Sequence, residues 1–174
     1  MAFIYFISEE YIKQNTGLDD NVDQHLIKPL IMDNQELHII SMLGTSLYDK
    51  VTQLLQDNLD NGTPLPTPYD VLINTYIAKV LMFRVMQDVP DAISLKMRNN
   101  GVIKQGNESG QAAEIQERQR LINGYERKGD TWQIRFENWI CDFKDEIPEY
   151  CESQPDGGVY AEKDGFQNGM YIGL

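Results

Sequence analysis

The stretch from residue 21 to residue 58 constrains the fold most, because it predicts two helices that fold back on each other. In its first half, apolar side chains recur at steps of three, four and seven, as on one face of a helix: Val22, Leu26, Leu30, Leu37, Ile40 and Leu43. Gly44 predicts the end of this helix, since glycine adopts the left-handed cap readily. We expect Thr45 or Ser46 to cap the next helix, on which Leu47, Val51, Leu54 and Leu55 share one side. Pro29 predicts a kink or a split in the first helix.

The rest of the chain continues this helical pattern. Ser8 predicts the N-cap of a short opening helix with Glu9 and Glu10 in its first turn, where the helix dipole favours acids. Residues 69–89 are apolar nearly all round, which is typical of a helix in the centre of a bundle, and we expect this helix to stop at Pro90. A last long helix is predicted from residue 111 to about residue 147. Its Trp132 and Trp139, seven residues apart, favour the core or a subunit interface.

Residues 91–110 change character and predict a β-hairpin inserted between the last two helices. Apolar and polar residues alternate up to Arg98, and an Asn-Asn-Gly sequence then provides a tight turn. Lys96, Arg98 and Lys104 make this the one basic part of an acidic chain. A two-stranded hairpin is marginally stable alone, so either the rest of the domain or a neighbouring molecule must pack against it.

Residues 151–174 form an acidic, glycine-rich tail without helical or strand periodicity, which is typical of an extended arm. Tyr160, Phe166 and Tyr171 are its aromatic residues. The whole chain has a formal net charge of −12, and half of this negative charge lies in the last 33 positions. Such a balance disfavours adhesion to nucleic acid through phosphate neutralisation, although a like-charged wall could surround DNA and let it slide. The ordinary interpretation is that net charge keeps the protein soluble.

The fold class predicted from these patterns is mainly α. We expect an antiparallel bundle of about four long helices in residues 1–150, with the hairpin insertion and the C-terminal arm.

No motif in the sequence indicates catalysis or cofactor binding. His25 and His38 lack a cysteine or second histidine at metal-ligand spacing, so we expect no metal site. There is no glycine-rich phosphate loop and no nucleophile elbow. Cys141 and Cys151 favour reduced thiols. No apolar run approaches the roughly 20 residues that a membrane helix needs. We therefore expect neither an enzyme nor a membrane protein.

Three segments resemble the head–tail connector proteins of tailed double-stranded DNA phages, and are most similar to the adaptor or ring proteins of crAss-like and related phages of Bacteroidetes. These segments are the sequence Asp-Asp-Asn-Val at residues 19–22, Leu-Ile-Lys-Pro-Leu-Ile at residues 26–31, and Leu-Gly-Thr-Ser-Leu-Tyr-Asp-Lys at residues 43–50. The order of long helices, strand insertion and C-terminal arm also matches that family.

This resemblance implies a structural virion protein without catalytic activity, assembled in the host cytoplasm. About twelve copies would form a ring below the portal protein, extend the DNA channel and dock the next ring or tail protein. Double-stranded DNA would pass through the lumen without specific binding. The hairpin residues Lys96, Arg98 and Lys104 would then lie at a subunit interface or face the lumen, and the three tail aromatics would contact a neighbouring protein.

An alternative of another class fits the same composition. The chain could be a monomeric, acidic, all-α binding or regulatory module that acts as an adaptor or mimics nucleic acid, with its negative surface facing a positive patch on a partner.

Overall fold

The computed structural model describes residues 3–98, 101–104 and 115–150, together with Ala161. Within these residues the protein is mainly α-helical, as the periodicity predicted. The α-helices are α1 (Glu9–Asn15), α2 (Gln24–Asn34), α3 (Ile40–Leu43), α4 (Thr45–Asn61), α5 (Thr67–Val71), α6 (Ala78–Ser94) and α7 (Ile115–Asp142). Two π-helical turns, Gln35–Ile39 and Leu72–Ile77, join α2 to α3 and α5 to α6, so each pair runs as one helical segment. A 3₁₀ turn, Pro148–Tyr150, follows α7.

The ends of the helices follow from local chemistry, with one correction. Ser8 caps α1 as predicted, since its Oγ accepts a hydrogen bond from the N–H of Tyr11 at 3.0 Å. Gly44, with φ 75° and ψ 161°, both ends α3 and serves as the N-cap of α4. The prediction that Thr45 or Ser46 caps α4 was therefore wrong, because Thr45 is already the first helical residue and the sharp turn occupies Gly44 alone.

The buried stripe of the α2–α3 segment agrees with the predicted one in part. Leu43 is fully buried as predicted and Leu30 packs partly buried against the core, whereas Leu37 is 67% exposed. The other buried apolar residues of the segment lie beside the predicted stripe: Ile27, Ile31, Ile39 and Met42. Adjacent apolar pairs such as Leu26 and Ile27 fit either phase of a helix, so the periodicity alone could not choose between them. Pro29 lies inside α2 without ending it, and the change in helix type comes at Gln35.

On α4 the prediction was right. Leu47 and Val51 are fully buried, and Leu54 and Leu55 pack partly buried against the same core.

Helix α6 lies at the centre of the domain. It packs along α2 and α7, and Leu81, Met82 and Val85 on it are almost fully buried. The predicted stop at Pro90 was wrong, because α6 runs on to Ser94. A proline removes one helical hydrogen bond without necessarily ending a helix, and Val89 just before it is held in the core.

The register of contacts shows that α6 and α7 run antiparallel. Tyr76 contacts Trp139, Arg84 contacts Asp130, and further along α6 Asp91 contacts Arg118. Helix α7 ends at Asp142, five residues before the predicted end at residue 147. In the turns that follow, backbone groups form short-range hydrogen bonds, as between the N–H of Phe143 and the carbonyl of Ile140 at 3.2 Å.

Between α6 and α7 lie two short strands, β1 (Leu95–Arg98) and β2 (Gly101–Lys104). They pair antiparallel, with Leu95 opposite Lys104 and Arg98 opposite Gly101. In the described part of the chain they form a sheet of two strands, and β1 continues directly from the end of α6.

Candidate functional site

The predicted basic residues of the hairpin occupy both strands. Lys96 and Arg98 are alternate positions of β1, and Lys104 ends β2. The register places Lys104 opposite Leu95, while Lys96 lies opposite Ile103. The backbone thus brings the three residues to one small sheet at the end of α6.

The predicted tail residues Tyr160, Phe166 and Tyr171 lie outside the residues that the structure describes. Ala161 is described, and it packs partly buried against the hydrophobic core. The chain therefore meets the helical domain again at this position, within the stretch predicted to be an arm.

Within the described ranges no group of three or more His, Cys, Asp or Glu side chains could hold a metal ion. In the same ranges, no helix has both the length and the apolar character needed to cross a membrane. A depression of about 620 Å³ that is open to solvent lies between α1 and the start of α2, and it is lined by Glu9, Glu10, Lys13, Gln14, Asp20 and Gln24.

A strip of aromatic rings lies along the seam between α7 and the α5–α6 segment. The ring of Tyr76 stacks on that of Trp139 with centroids 4.8 Å apart, and Trp139 stacks on Phe143 at 4.7 Å. The Trp132 ring meets Tyr76 edge-on at 6.4 Å. These side chains pack against the core while remaining partly exposed. The tryptophans thus contribute to the core, one of the two predicted roles, and they keep part of each ring at the surface.

Two cations of α7 lie over aromatic rings, one on this strip and one beside it, at a spacing that was not among the sequence predictions. The guanidinium of Arg135 is 4.8 Å from the centroid of the Trp132 ring. The ammonium of Lys128 is 5.1 Å from the Tyr125 ring and 5.7 Å from the Phe83 ring. In each helical pair the cation follows the aromatic residue by three positions, which places both side chains on one face. That spacing was visible in the sequence.

We call this surface the α7 flank and define it by six residues at alternating steps of four and three: Leu121, Tyr125, Lys128, Trp132, Arg135 and Trp139. A helix repeats this pattern along one stripe. Leu121 is 49% exposed, Lys128 and Arg135 are exposed, and the three aromatic residues are half-buried. The α7 flank is therefore an amphipathic stripe beside the one that faces the core.

A close approach between α6 and α7 fixes the position of this flank. Gly129 is buried, and a Cβ at this position would lie 3.3 Å from Nε of Arg84. The Arg84 guanidinium, largely buried, donates to Oδ1 of Asp130 at 2.7 Å. Because glycine leaves this space open, the arginine passes between the helices and ties them together.

Gln35, in the first π-helical turn, is fully buried and holds the N-terminal segment. Its Oε1 accepts from the N–H of Phe6 at 2.9 Å, and its Nε2 donates to the carbonyl of Ile4 at 2.8 Å and to Oη of Tyr48 at 3.0 Å. One amide side chain thus imitates the pairing of a β-strand with residues 4 and 6. Burial raises the pKa of the Tyr48 phenol above its ordinary value, the hydrogen bond from Gln35 lowers it, and Glu36 and Asp49 raise it further.

No curated protein and no solved structure matches this chain. The model of a family described as a family of unknown function, DUF6712, matches residues 39–157. This match begins in the first π-helical turn, includes all of α3–α7 and the hairpin, and extends beyond the 3₁₀ turn. Since it covers well over half of the 174 residues, the chain belongs to the DUF6712 family.

Proposed function

We propose that this protein is a structural subunit of a phage head–tail connector ring, located in the virion below the portal protein. About twelve copies would extend the DNA channel and dock the next ring or tail protein. The proposal starts from the resemblance of residues 19–22, 26–31 and 43–50 to connector proteins. The domain is mainly helical and carries the amphipathic α7 flank on its surface, which is compatible with a role in assembly.

The observation that carries the proposal is the hairpin. Its strands have four residues each, and in the described residues they pair only with each other. A sheet of two short strands leaves two edges with unpaired backbone groups and is marginal in water. A neighbouring subunit can supply a further strand by β-augmentation, and a head-to-tail arrangement repeats this contact around a ring. Lys96, Arg98 and Lys104 would then belong to a subunit interface or to the lumen.

On this proposal the helices form an antiparallel bundle of about four long helical segments. The antiparallel register of α6 and α7 supports this arrangement. Residues 151–174 serve as the arm that contacts a neighbouring protein, through Tyr160, Phe166 and Tyr171.

The charge of the chain fits a channel through which DNA passes. Residues 1–94 carry 13 acidic and five basic side chains. A surface of this kind does not neutralise phosphates, and it leaves the duplex free to slide. The role is structural and requires no cofactor.

Electron microscopy of virions, or of the protein mixed with its portal protein, tests this function. We expect a ring between portal and tail into which the chain can be traced. Absence of the protein from virions, together with its presence as a free monomer in the extract of infected cells, would contradict the proposal. That result would favour the acidic adaptor or nucleic-acid mimic instead.

A further inference from the structure

We propose that the α7 flank of one copy binds the acidic depression between α1 and α2 of a second copy. This inference rests on the proposed ring and names the contact that would join its subunits. It differs from β-augmentation by the hairpin, because it uses the long face of the helical domain. The argument depends on the shape of the two surfaces, on their charges and on their places in the fold.

The flank has the composition of a protein-binding stripe. It presents the partly exposed rings of Tyr125, Trp132 and Trp139, with Leu121 at one end. Tryptophan, tyrosine and arginine are the residues on which binding energy concentrates in protein interfaces, since they combine large apolar area with a polar group. Half-buried rings held by Tyr76 and Phe83 are already ordered, so little side-chain freedom is lost when a partner covers them.

Charge complementarity identifies the partner. Helix α7 carries five basic and five acidic residues in a chain of net charge −12, and the two cations of the flank, Lys128 and Arg135, are exposed. The depression on the N-terminal side is lined by Lys13 and by three carboxylates, those of Glu9, Glu10 and Asp20. Glu9 also pairs with Lys28 at 3.7 Å, so Glu10 and Asp20 are the exposed acids that a partner can meet. Opposite charges on two surfaces of the same chain favour contact between copies and set its orientation.

The two surfaces belong to different sides of the domain. On α6, Lys79 lies over the ring of Tyr11 in α1, whereas Arg84 reaches Asp130 in α7. A contact between two different surfaces of identical chains is heterologous, so each copy can bind one neighbour through its flank and another through its depression. Such a contact closes into a ring when the rotation per copy divides a full turn.

Disulfide trapping tests the contact directly. In full-length protein with Cys141→Ser and Cys151→Ser, we combine Arg135→Cys with Glu10→Cys and oxidise the concentrated protein. We expect a ladder of covalent multimers. The matched control combines Glu10→Cys with Arg120→Cys, which places the thiol at an exposed position of α7 outside the flank, and we expect mainly uncrosslinked protein from it.

Charge reversal provides a second and reversible measurement. Sedimentation velocity over a range of concentrations should show that Arg135→Glu weakens self-association by about tenfold or more. Arg120→Glu makes the same change of charge on the same helix and should have little effect. Adding Glu10→Lys and Asp20→Lys to Arg135→Glu should restore association, since the reversed charges again match. Circular dichroism checks that each variant is folded.

Several results would overturn the inference. Wild-type protein that stays monomeric at the highest concentration, equal trapping of both cysteine pairs, or failure of the reversed charges to restore binding would each do so. Rings in virions whose subunits meet through other surfaces would also overturn it while leaving the proposed function intact. Association through the flank of a protein that is absent from virions would instead contradict the connector function alone.

Discussion

Replacing Gln35 by alanine should release the N-terminal segment and destabilise the domain. The side chain is fully buried and forms hydrogen bonds to the N–H of Phe6, the carbonyl of Ile4 and the hydroxyl of Tyr48. Alanine can replace none of these bonds. Three polar groups would then lose their partner, and a small cavity would open where the amide had been.

The expected loss follows from these bonds. A hydrogen bond of this kind contributes about 0.5–1.5 kcal/mol net, and a buried group left unsatisfied costs about 1–3 kcal/mol. Ile4 is only half-buried and Tyr5 is exposed, so water can reach part of the segment. We therefore take about 1 kcal/mol for each bond and expect the free energy of unfolding to fall by about 3 kcal/mol. Domains have about 5–15 kcal/mol in total, so this is a large fraction.

Urea denaturation followed by circular dichroism measures this loss, and amide hydrogen exchange at Phe6 locates it. We expect exchange at Phe6 to accelerate in Gln35→Ala. Gln53→Ala is the control, because Gln53 is exposed on α4 and its replacement should change the free energy of unfolding by at most about 0.5 kcal/mol. A loss of less than about 1 kcal/mol in Gln35→Ala, with exchange at Phe6 unchanged, would refute the role of Gln35 as the clasp of this segment.

Three other predictions test separate parts of the structure. Gly124→Ala should raise the free energy of unfolding, measured by urea denaturation, by up to about 1 kcal/mol, since no atom lies within 4 Å of the new Cβ. Gly129→Ala should give a free energy of unfolding at least about 1 kcal/mol lower than Gly124→Ala does, because Arg84 must move. Equal effects of the two substitutions would contradict the close approach at Gly129. The free energy of unfolding should fall as the pH rises above about 10, since the phenol of Tyr48 ionises in the unfolded chain while its raised pKa keeps it neutral when folded; the slope of stability against pH should be shallower in Tyr48→Phe, and an unchanged slope would contradict this. Deleting residues 152–174 should leave the domain folded by circular dichroism yet weaken its docking to the portal or the next ring, whereas an unfolded product would contradict the arm.

The sequence predicted most of the helical framework, because caps and apolar spacing are local signals. Ser8 capped α1 as expected, and the Gly44 turn separates two helices at the predicted place. The predictions were wrong where a local pattern fits two structures equally well. The phase of the α2 stripe depends on whether Leu26 or Ile27 is fully buried, and both are apolar. Pro90 likewise signals a stop locally, although α6 continues to Ser94.

The candidate surface was predicted in part. The spacing of Trp132 and Trp139 pointed to the core or an interface, and these residues now form part of the α7 flank. The role of Gln35 could not have been predicted in this way, because its partners at residues 4, 6 and 48 come from distant parts of the chain. No local sequence pattern predicts that a glutamine is buried, because its burial depends on hydrogen bonds that only the folded chain provides.

Buried polar residues at the first π-helical turn help to fix the packing angle between helices, on which the geometry of a ring would depend. At its start, Asn34 and Gln35 are adjacent and both buried, and Asn34 donates to Oδ2 of Asp88 at 2.6 Å and so ties α2 to α6. Arg84 then ties α6 to α7 from the same helix. Directional bonds of this kind fix one packing more narrowly than apolar contacts do, because a small slide would leave buried groups unpaired. The acidic depression at α2 and the flank on α7 are thereby held at a set angle to each other through α6.

In a closed ring of about twelve copies, successive subunits differ by a rotation of about 30°, and this rotation is set by the angle between the two contact surfaces of one subunit. Replacing Asn34 or Arg84 by an apolar side chain of similar size should therefore broaden the distribution of ring sizes before it unfolds the domain, and micrographs of assembled rings would show whether copy number and these two bonds are connected.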